Sequence, residues 1–109
     1  MADCIFCKIV QGSVPSKKEY EDEAIVVFHD IHPKAPFHLL IVPKEHIDQF
    51  TDIEDLEIWI KMSKIAQDLI KKHGLATKGY RLVNNGGGAA LINHLHLHLL
   101  GDIAHTREI

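Results

Sequence analysis

His94-Leu95-His96-Leu97-His98-Leu99-Leu100 alternates strictly between imidazole and leucine until its last residue. Successive side chains of a β-strand point to opposite faces. The period of two therefore predicts a strand over His94–Leu100, with its leucines in a core and three imidazoles on the other face. Neighbouring imidazoles stand roughly 6.5–7 Å apart on such a face, and the outer two about 13 Å apart. Zinc binds nitrogen at about 2 Å, so one ion cannot hold both outer rings. A row of neutral imidazoles suits another task, in which one ring attacks as nucleophile while its neighbours donate to an anion. Phosphate fits, because it needs donors around its oxygens and a nucleophile in line with its leaving group.

Working outward, Cys4–Val10 is a short apolar opening of one or two helical turns, closed by Gly12. Lys18–Glu21 and Ala24–His29 read as two strands joined by the acidic turn Asp22-Glu23. His38–Val42 is apolar on both faces and so predicts a central third strand. Thr51 with Glu54 makes a capping-box pattern. The helix after it carries Leu56, Trp59, Met62, Ala66, Leu69, Ile70 and His73 at spacings of three and four, a single buried stripe. Gly74 ends it behind Lys71 and Lys72, which suit the helix dipole. Tyr80–Val83 is a fourth strand and Asn84–Ala90 a glycine-rich turn. The order β-β-β-α-β-β implies an antiparallel sheet with helices on one side, an α+β fold.

The chain has 109 residues, 46% apolar and 25% charged, which predicts a single domain over 1–109 with one real core. Its net charge is −3, from 12 basic and 15 acidic residues, which argues against nucleic acid as a dominant partner. No apolar run approaches a membrane span. The acidic start Met1-Ala2-Asp3-Cys4 is unlike a signal peptide, so a soluble, cytoplasmic location is expected. Nine histidines is far above ordinary usage and concentrates the chemistry there. Cys4-x-x-Cys7 alone is half a metal site or a redox pair, without the βαβ setting of the latter.

The triad at His94–Leu100 resembles the His-φ-His-φ-His-φ-φ signature of the histidine-triad (HIT) family. The likeness extends to Cys4–Ile9 (Cys-Ile-Phe-Cys-Lys-Ile), Phe28–Ile31, Ala35–His38, Ile41–Ile47 and Gly79–Arg81, and points to the nucleoside phosphoramidate hydrolase (HINT-like) branch. The resemblance implies a HIT-like fold: a five-stranded antiparallel sheet with one long and one short helix. It also implies a homodimer whose sheets join into ten strands. It implies a hydrolase or nucleotidyl transferase that cleaves purine nucleoside 5′-phosphoramidates, such as adenosine 5′-monophosphoramidate, through a covalent nucleotidyl-histidine. Its ligands are then purine nucleotides, AMP or GMP and their phosphoramidates.

By the same resemblance, His96 is the nucleophile, His98 a donor to phosphate and His38 a fourth active-site histidine. Asp30 matches the carboxylate on the ribose hydroxyls and Asn84 a phosphate-side contact. Ile5, Phe6, Ile9, Phe28 and Ile31 match the apolar wall around the base. Cys4, Cys7, His46 and His94 match a structural zinc site. The family usually carries Gly-Gln-Ser just before the triad, where Ala90-Leu91-Ile92-Asn93 stands here, one residue shorter after Asn84. Gly101-Asp102 replaces the common Gly-Gly. Loss of a transition-state donor costs about 10²- to 10³-fold in rate. A nucleotide-binding regulatory dimer with little turnover is therefore the alternative, and a dinucleoside polyphosphate hydrolase the third reading.

Overall fold

The alternation at 94–100 becomes paired strand only in its second half. The computed structural model describes residues 4–103. Five strands, β1 (Lys18–Glu21), β2 (Ile25–His29), β3 (Phe37–Pro43), β4 (Tyr80–Val83) and β5 (Leu97–Gly101), form one sheet in the order β1-β2-β3-β5-β4. Every pairing is antiparallel, and β3 lies at the centre as its two-sided apolar pattern predicts. The helices are α1 (Ile5–Val10), α2 (Glu57–Lys72) and α3 (Leu75–Lys78). This is the expected α+β architecture, with α3 a second short helix that the sequence pattern does not announce.

The sheet has two dressed faces. Leu97 and Leu99 of β5 join Ile25, Val27, Leu39 and Ile41 under Met62, Ala66, Leu69 and Ile70 of α2. The opposite face holds Val26, Phe28, Leu40 and Val42, covered by Phe6 and Ile9 of α1. His98 stands opposite Leu40 in the β3–β5 register and so shares this second face. Leucines and imidazoles thus part as the alternation requires.

Three local expectations need correction. The strand is shorter at its start: the ladder begins at Leu97 opposite Ile41, so His94, Leu95 and His96 precede it. The capping box at Thr51 and Glu54 does not form. Thr51 lies inside a 3-10 turn, Phe50–Asp52, that lays Phe50 edge-on to Trp59 with ring centroids 4.8 Å apart. Ile53 then runs extended to pack on the core, and the helix starts only at Glu57, whose N–H donates to the Asp55 carboxylate at 3.0 Å. Apolar anchoring of Phe50 and Ile53 has overridden the cap signal. Finally, Ala24 belongs to the turn before β2, where Asp22 Oδ1 accepts from the N–H groups of Ala24 and Ile25, both at 2.8 Å.

The end of α2 follows the sequence: His73 is its C-cap and Gly74, the next residue, takes φ +66°. Among the described residues no helix is long and apolar enough to cross a membrane.

Candidate functional site

α1 brings both cysteines to the segment that precedes β5. Cys4 is its N-cap, and the Cys4 sulfur accepts from the Cys7 N–H at 3.4 Å. Cys4 Sγ lies 3.3 Å and Cys7 Sγ 3.6 Å from His94 Nδ1, and Cys7 Sγ lies 3.2 Å from His46 Nδ1. The ligand atoms of Cys4, Cys7, His46 and His94 all fall within 4.8 Å of one another.

The hydrogen bonds on the far ring nitrogens prepare both imidazoles to bind a cation. His94 Nε2–H donates to the Pro43 carbonyl at 2.8 Å, and His46 Nε2–H to the Asp48 carboxylate at 2.8 Å. In each neutral ring the proton then sits on Nε2, and the Nδ1 lone pair faces the sulfurs. Tetrahedral bonds of about 2.3 Å to sulfur and 2.0–2.1 Å to nitrogen separate such ligands by about 3.6 Å. The observed spacings suit that geometry. Burial, then the neighbouring Cys4, push the Cys7 thiol above its usual range. A dication at the centre would reverse this and hold the sulfur as thiolate. The cluster is thus able to coordinate a metal ion.

A second group forms where β3 and β5 lie side by side. His38 is buried, and its Nδ1 accepts from the Lys34 backbone N–H at 3.0 Å. Its proton must then sit on Nε2, which lies 2.9 Å from His98 Nδ1. His98 accepts there and carries its own proton on Nε2. For His96 the order is reversed: Nδ1–H donates to the His94 carbonyl at 2.7 Å, leaving a lone pair on Nε2. The His96 and His98 rings meet edge to face with centroids 4.7 Å apart, closer than the strand repeat alone allows. A lone pair and an N–H donor therefore sit on adjacent rings, and neither atom has a hydrogen-bond partner among the described residues.

Burial holds these rings neutral. It is the first cause of the lowered pKa values of His38 and His96, and with repulsion from His96 and His38 it pushes His98 down to about 4. Asp30 Oδ2 lies 3.5 Å from His38 Nε2, and the ligand atoms of Asp30, His38 and His98 also cluster within 4.8 Å. A metal would need a lone pair on His38 Nε2, however, where the contact from Lys34 places the proton. The arrangement is a hydrogen-bond relay.

The other expected site residues are divided. Phe6, Ile9 and Phe28 are interior, Phe6 meeting the Phe28 ring at 5.5 Å and that of His96 at 5.0 Å. Ile5 lies at the surface and Ile31 is 84% exposed, so only these two present the open wall expected of all five. Asp30 Oδ1 is engaged by the His32 N–H at 2.8 Å. The Asn84 amide donates to the His96 carbonyl at 3.0 Å, which makes it a brace for the triad segment.

Several functional contacts escaped sequence reasoning. The Pro43 carbonyl and the Lys34 N–H are backbone groups with no residue-type signal. Asp48, two residues beyond His46, was legible as a His-x-Asp pair. Gln49 Oε1 accepts from the Gly87 N–H at 2.8 Å and pins the glycine turn. No side-chain donor occurs from Gly86 to Ile92, and Leu91 is 100% exposed.

The family model described as the scavenger mRNA decapping enzyme C-terminal binding region matches residues 3–108. An uncharacterised HIT-like protein of Methanocaldococcus jannaschii is 43% identical over 101 residues, covering 89% of this chain and 77% of that protein. The protein HitA of Neisseria gonorrhoeae is 41% identical over 105 residues, covering 93% and 97%. A HIT family hydrolase structure from Clostridium thermocellum superposes with a TM-score of 0.91 at 42% identity, covering 100% of this chain and 98% of that one. A histidine triad protein of Clostridium difficile gives a TM-score of 0.91 at 38% identity, with the same coverage.

Proposed function

The chain belongs to the histidine-triad family, and on that premise we propose that it hydrolyses purine nucleoside 5′-phosphoramidates through a nucleotidyl-His96 intermediate. The observation that carries this reading is the pair of opposite tautomers on adjacent rings. His96 presents a lone pair and His98 a proton, each fixed by what its other nitrogen touches. His96 Nε2 attacks the α-phosphorus and the phosphorus–nitrogen bond to the leaving amine breaks. The amine takes its proton from solvent, since the described side chains of Gly86–Ile92 offer none. His98 Nε2–H donates to a phosphate oxygen as charge develops. Water then attacks phosphorus, and the nucleoside monophosphate leaves as His96 regains its lone pair. In this reading Asp30 accepts from the ribose, and Ile5 and Ile31 border the base.

Zinc is the ion that best suits two thiolates and two imidazoles in a closed tetrahedron, held by Cys4, Cys7, His46 and His94. It would tie α1 to the segment before β5. The exposed edge of β4, with Tyr80 and Leu82, supports a homodimer that continues the sheet to ten strands. The barren stretch Gly86–Ile92 favours the second reading, a nucleotide-binding regulatory dimer with slow turnover.

Steady-state turnover of adenosine 5′-monophosphoramidate, with intact-mass detection after rapid acid quench, tests the proposal. A nucleotidyl adduct on the wild type, absent together with turnover from His96→Ala, is expected. Equal rates in the two proteins would remove His96 as nucleophile.

A further inference from the structure

We infer that the Cys4–Cys7–His46–His94 centre positions the His96 ring, over and above tying α1 to the sheet, an inference that rests on the reading of His96 as nucleophile. The reason lies in where the ladder starts. His98 sits inside β5, paired on both sides, opposite Leu40 of β3 and Val83 of β4. His96 does not, because the ladder begins one residue later at Leu97. The sheet that locks His98 therefore leaves the backbone of His94–His96 to other restraints.

Those restraints are few, and apart from the Asn84 amide on the His96 carbonyl at 3.0 Å they converge on the metal-capable cluster. Leu95 N–H donates to the Ile47 carbonyl at 2.6 Å, one residue beyond the ligand His46. His94, at 0% exposure, is held through Nε2 by the Pro43 carbonyl and through Nδ1 by the two sulfurs. The same His94 supplies the carbonyl that takes the His96 Nδ1 proton at 2.7 Å. One residue thus offers a side-chain ligand to the cation and a backbone acceptor to the reactive ring. Phe6, between the two cysteines, adds edge contacts to both rings, at 5.8 Å to His94 and 5.0 Å to His96.

Without a cation, the Cys4 thiol can donate only weakly to His94 Nδ1 and the Cys7 thiol to His46 Nδ1, contacts that hold the His94 ring less firmly than coordination does. The His94 ring then gains freedom, its carbonyl moves with it, and His96 loses the partner that fixes its tautomer. Cys4, Cys7, His46 and His94 are positioning residues in this scheme. Phosphate affinity, which rests on the ladder-held His98, is largely spared.

The test compares zinc-loaded protein with protein stripped by a chelator, using imidazole ¹⁵N signals of His96, AMP affinity, and kcat and KM together. Loaded protein should show one His96 tautomer with the proton on Nδ1. Stripped protein that remains folded by circular dichroism should show averaged His96 signals. Its kcat should fall about 10²-fold, the cost of misplacing a reacting group by about 1 Å, with AMP affinity and KM within about threefold. Unchanged His96 signals and kcat in the stripped, folded chain overturn the inference and leave the centre purely structural. Should stripping unfold the chain, loading with cadmium, a larger ion, replaces it. A changed His96 signal and a several-fold lower kcat than the zinc form are then expected, and identical values overturn the inference. Should the loaded protein show no turnover at all, the proposed activity fails while the ¹⁵N comparison still decides this point.

Discussion

Replacing His38 by leucine removes a group that the relay sets one step behind His98, the proposed phosphate donor. His38 Nε2–H is the contact that makes His98 Nδ1 an acceptor, at 2.9 Å, and so places the His98 proton on Nε2. Leucine fills much of the volume but offers nothing to that lone pair. An unpaired polar atom here costs about 1–3 kcal/mol, enough for His98 to move its proton to Nδ1 or rotate toward water. Either response removes the Nε2–H from the phosphate. The loss of one preorganised donor lowers kcat by about 10²- to 10³-fold, or about 2.7–4 kcal/mol of transition-state stabilisation. His38→Gln can present an amide N–H near the same point and should stay within about tenfold of wild type. His38→Glu offers an acceptor, draws the His98 proton to Nδ1, and should be at least as slow as leucine. The assay is kcat and KM on adenosine 5′-monophosphoramidate, paired with imidazole ¹⁵N shifts of His98. A leucine variant within threefold of wild type in kcat, with His98 still protonated at Nε2, would refute the relay.

Acid should weaken the fold in a defined window. His98, pushed down to about 4, and His38, also lowered by burial, bind protons more readily in the unfolded chain, where histidine titrates near 6.5. Their contribution is complete above about pH 6.5 and is lost as the pH falls toward 4, so Tm should drop between pH 7 and pH 5. Glu19, lowered first by its hydrogen bond from Lys72, loses its share only below the ordinary carboxylate range. The drop should shrink in His98→Asn, and a Tm unchanged from pH 7 to pH 5 would show that these rings are not held neutral by burial. Away from the site, Gly101→Ala should cost about 1–3 kcal/mol in urea denaturation through overpacking. A Cβ there would lie 2.7 Å and 2.8 Å from the two Leu75 methyls and 3.0 Å from Phe37 Cβ. A variant as stable as wild type would mean that α3 is free to shift.

Much of the fold was legible because its signals are local and repeat. The imidazole–leucine alternation, the apolar stripe from Met62 to Ile70, the Asp22-Glu23 turn and Gly74 each specify geometry within a few residues. The misreadings arose where packing between distant segments decides. The Thr51–Glu54 cap gave way to Phe50 on Trp59 and Ile53 on the core. Short α3 is held by the single buried Leu75 against β5, a contact with no periodicity to reveal it. Asp102 adopts φ +61°, and its N–H reaches the Gly79 carbonyl at 3.0 Å. Nothing in the residue type announces that left-handed turn, which glycine would adopt at less cost. At the site, residue types marked the cysteines and histidines, but not the backbone partners Pro43 and Lys34.

Those backbone partners explain how three identical side chains at period two come to present different ring atoms. A neutral imidazole has one proton and one lone pair, so whatever occupies one nitrogen determines what the other can offer. The Pro43 carbonyl takes the His94 Nε2 proton and turns a lone pair toward the sulfurs. The His94 carbonyl takes the His96 Nδ1 proton and leaves a lone pair on Nε2. The Lys34 N–H, acting through His38, leaves His98 a proton on Nε2. Burial lowers the pKa of every ring in the row, which keeps each with one lone pair and one proton and makes the assignment stick near neutral pH. A charged row would carry a proton on both nitrogens of each ring and could neither attack phosphorus nor bind a cation. The alternation sets the rings in a row, while the hydrogen bonds behind it decide which ring could serve as ligand, which as the proposed nucleophile and which as the proposed donor.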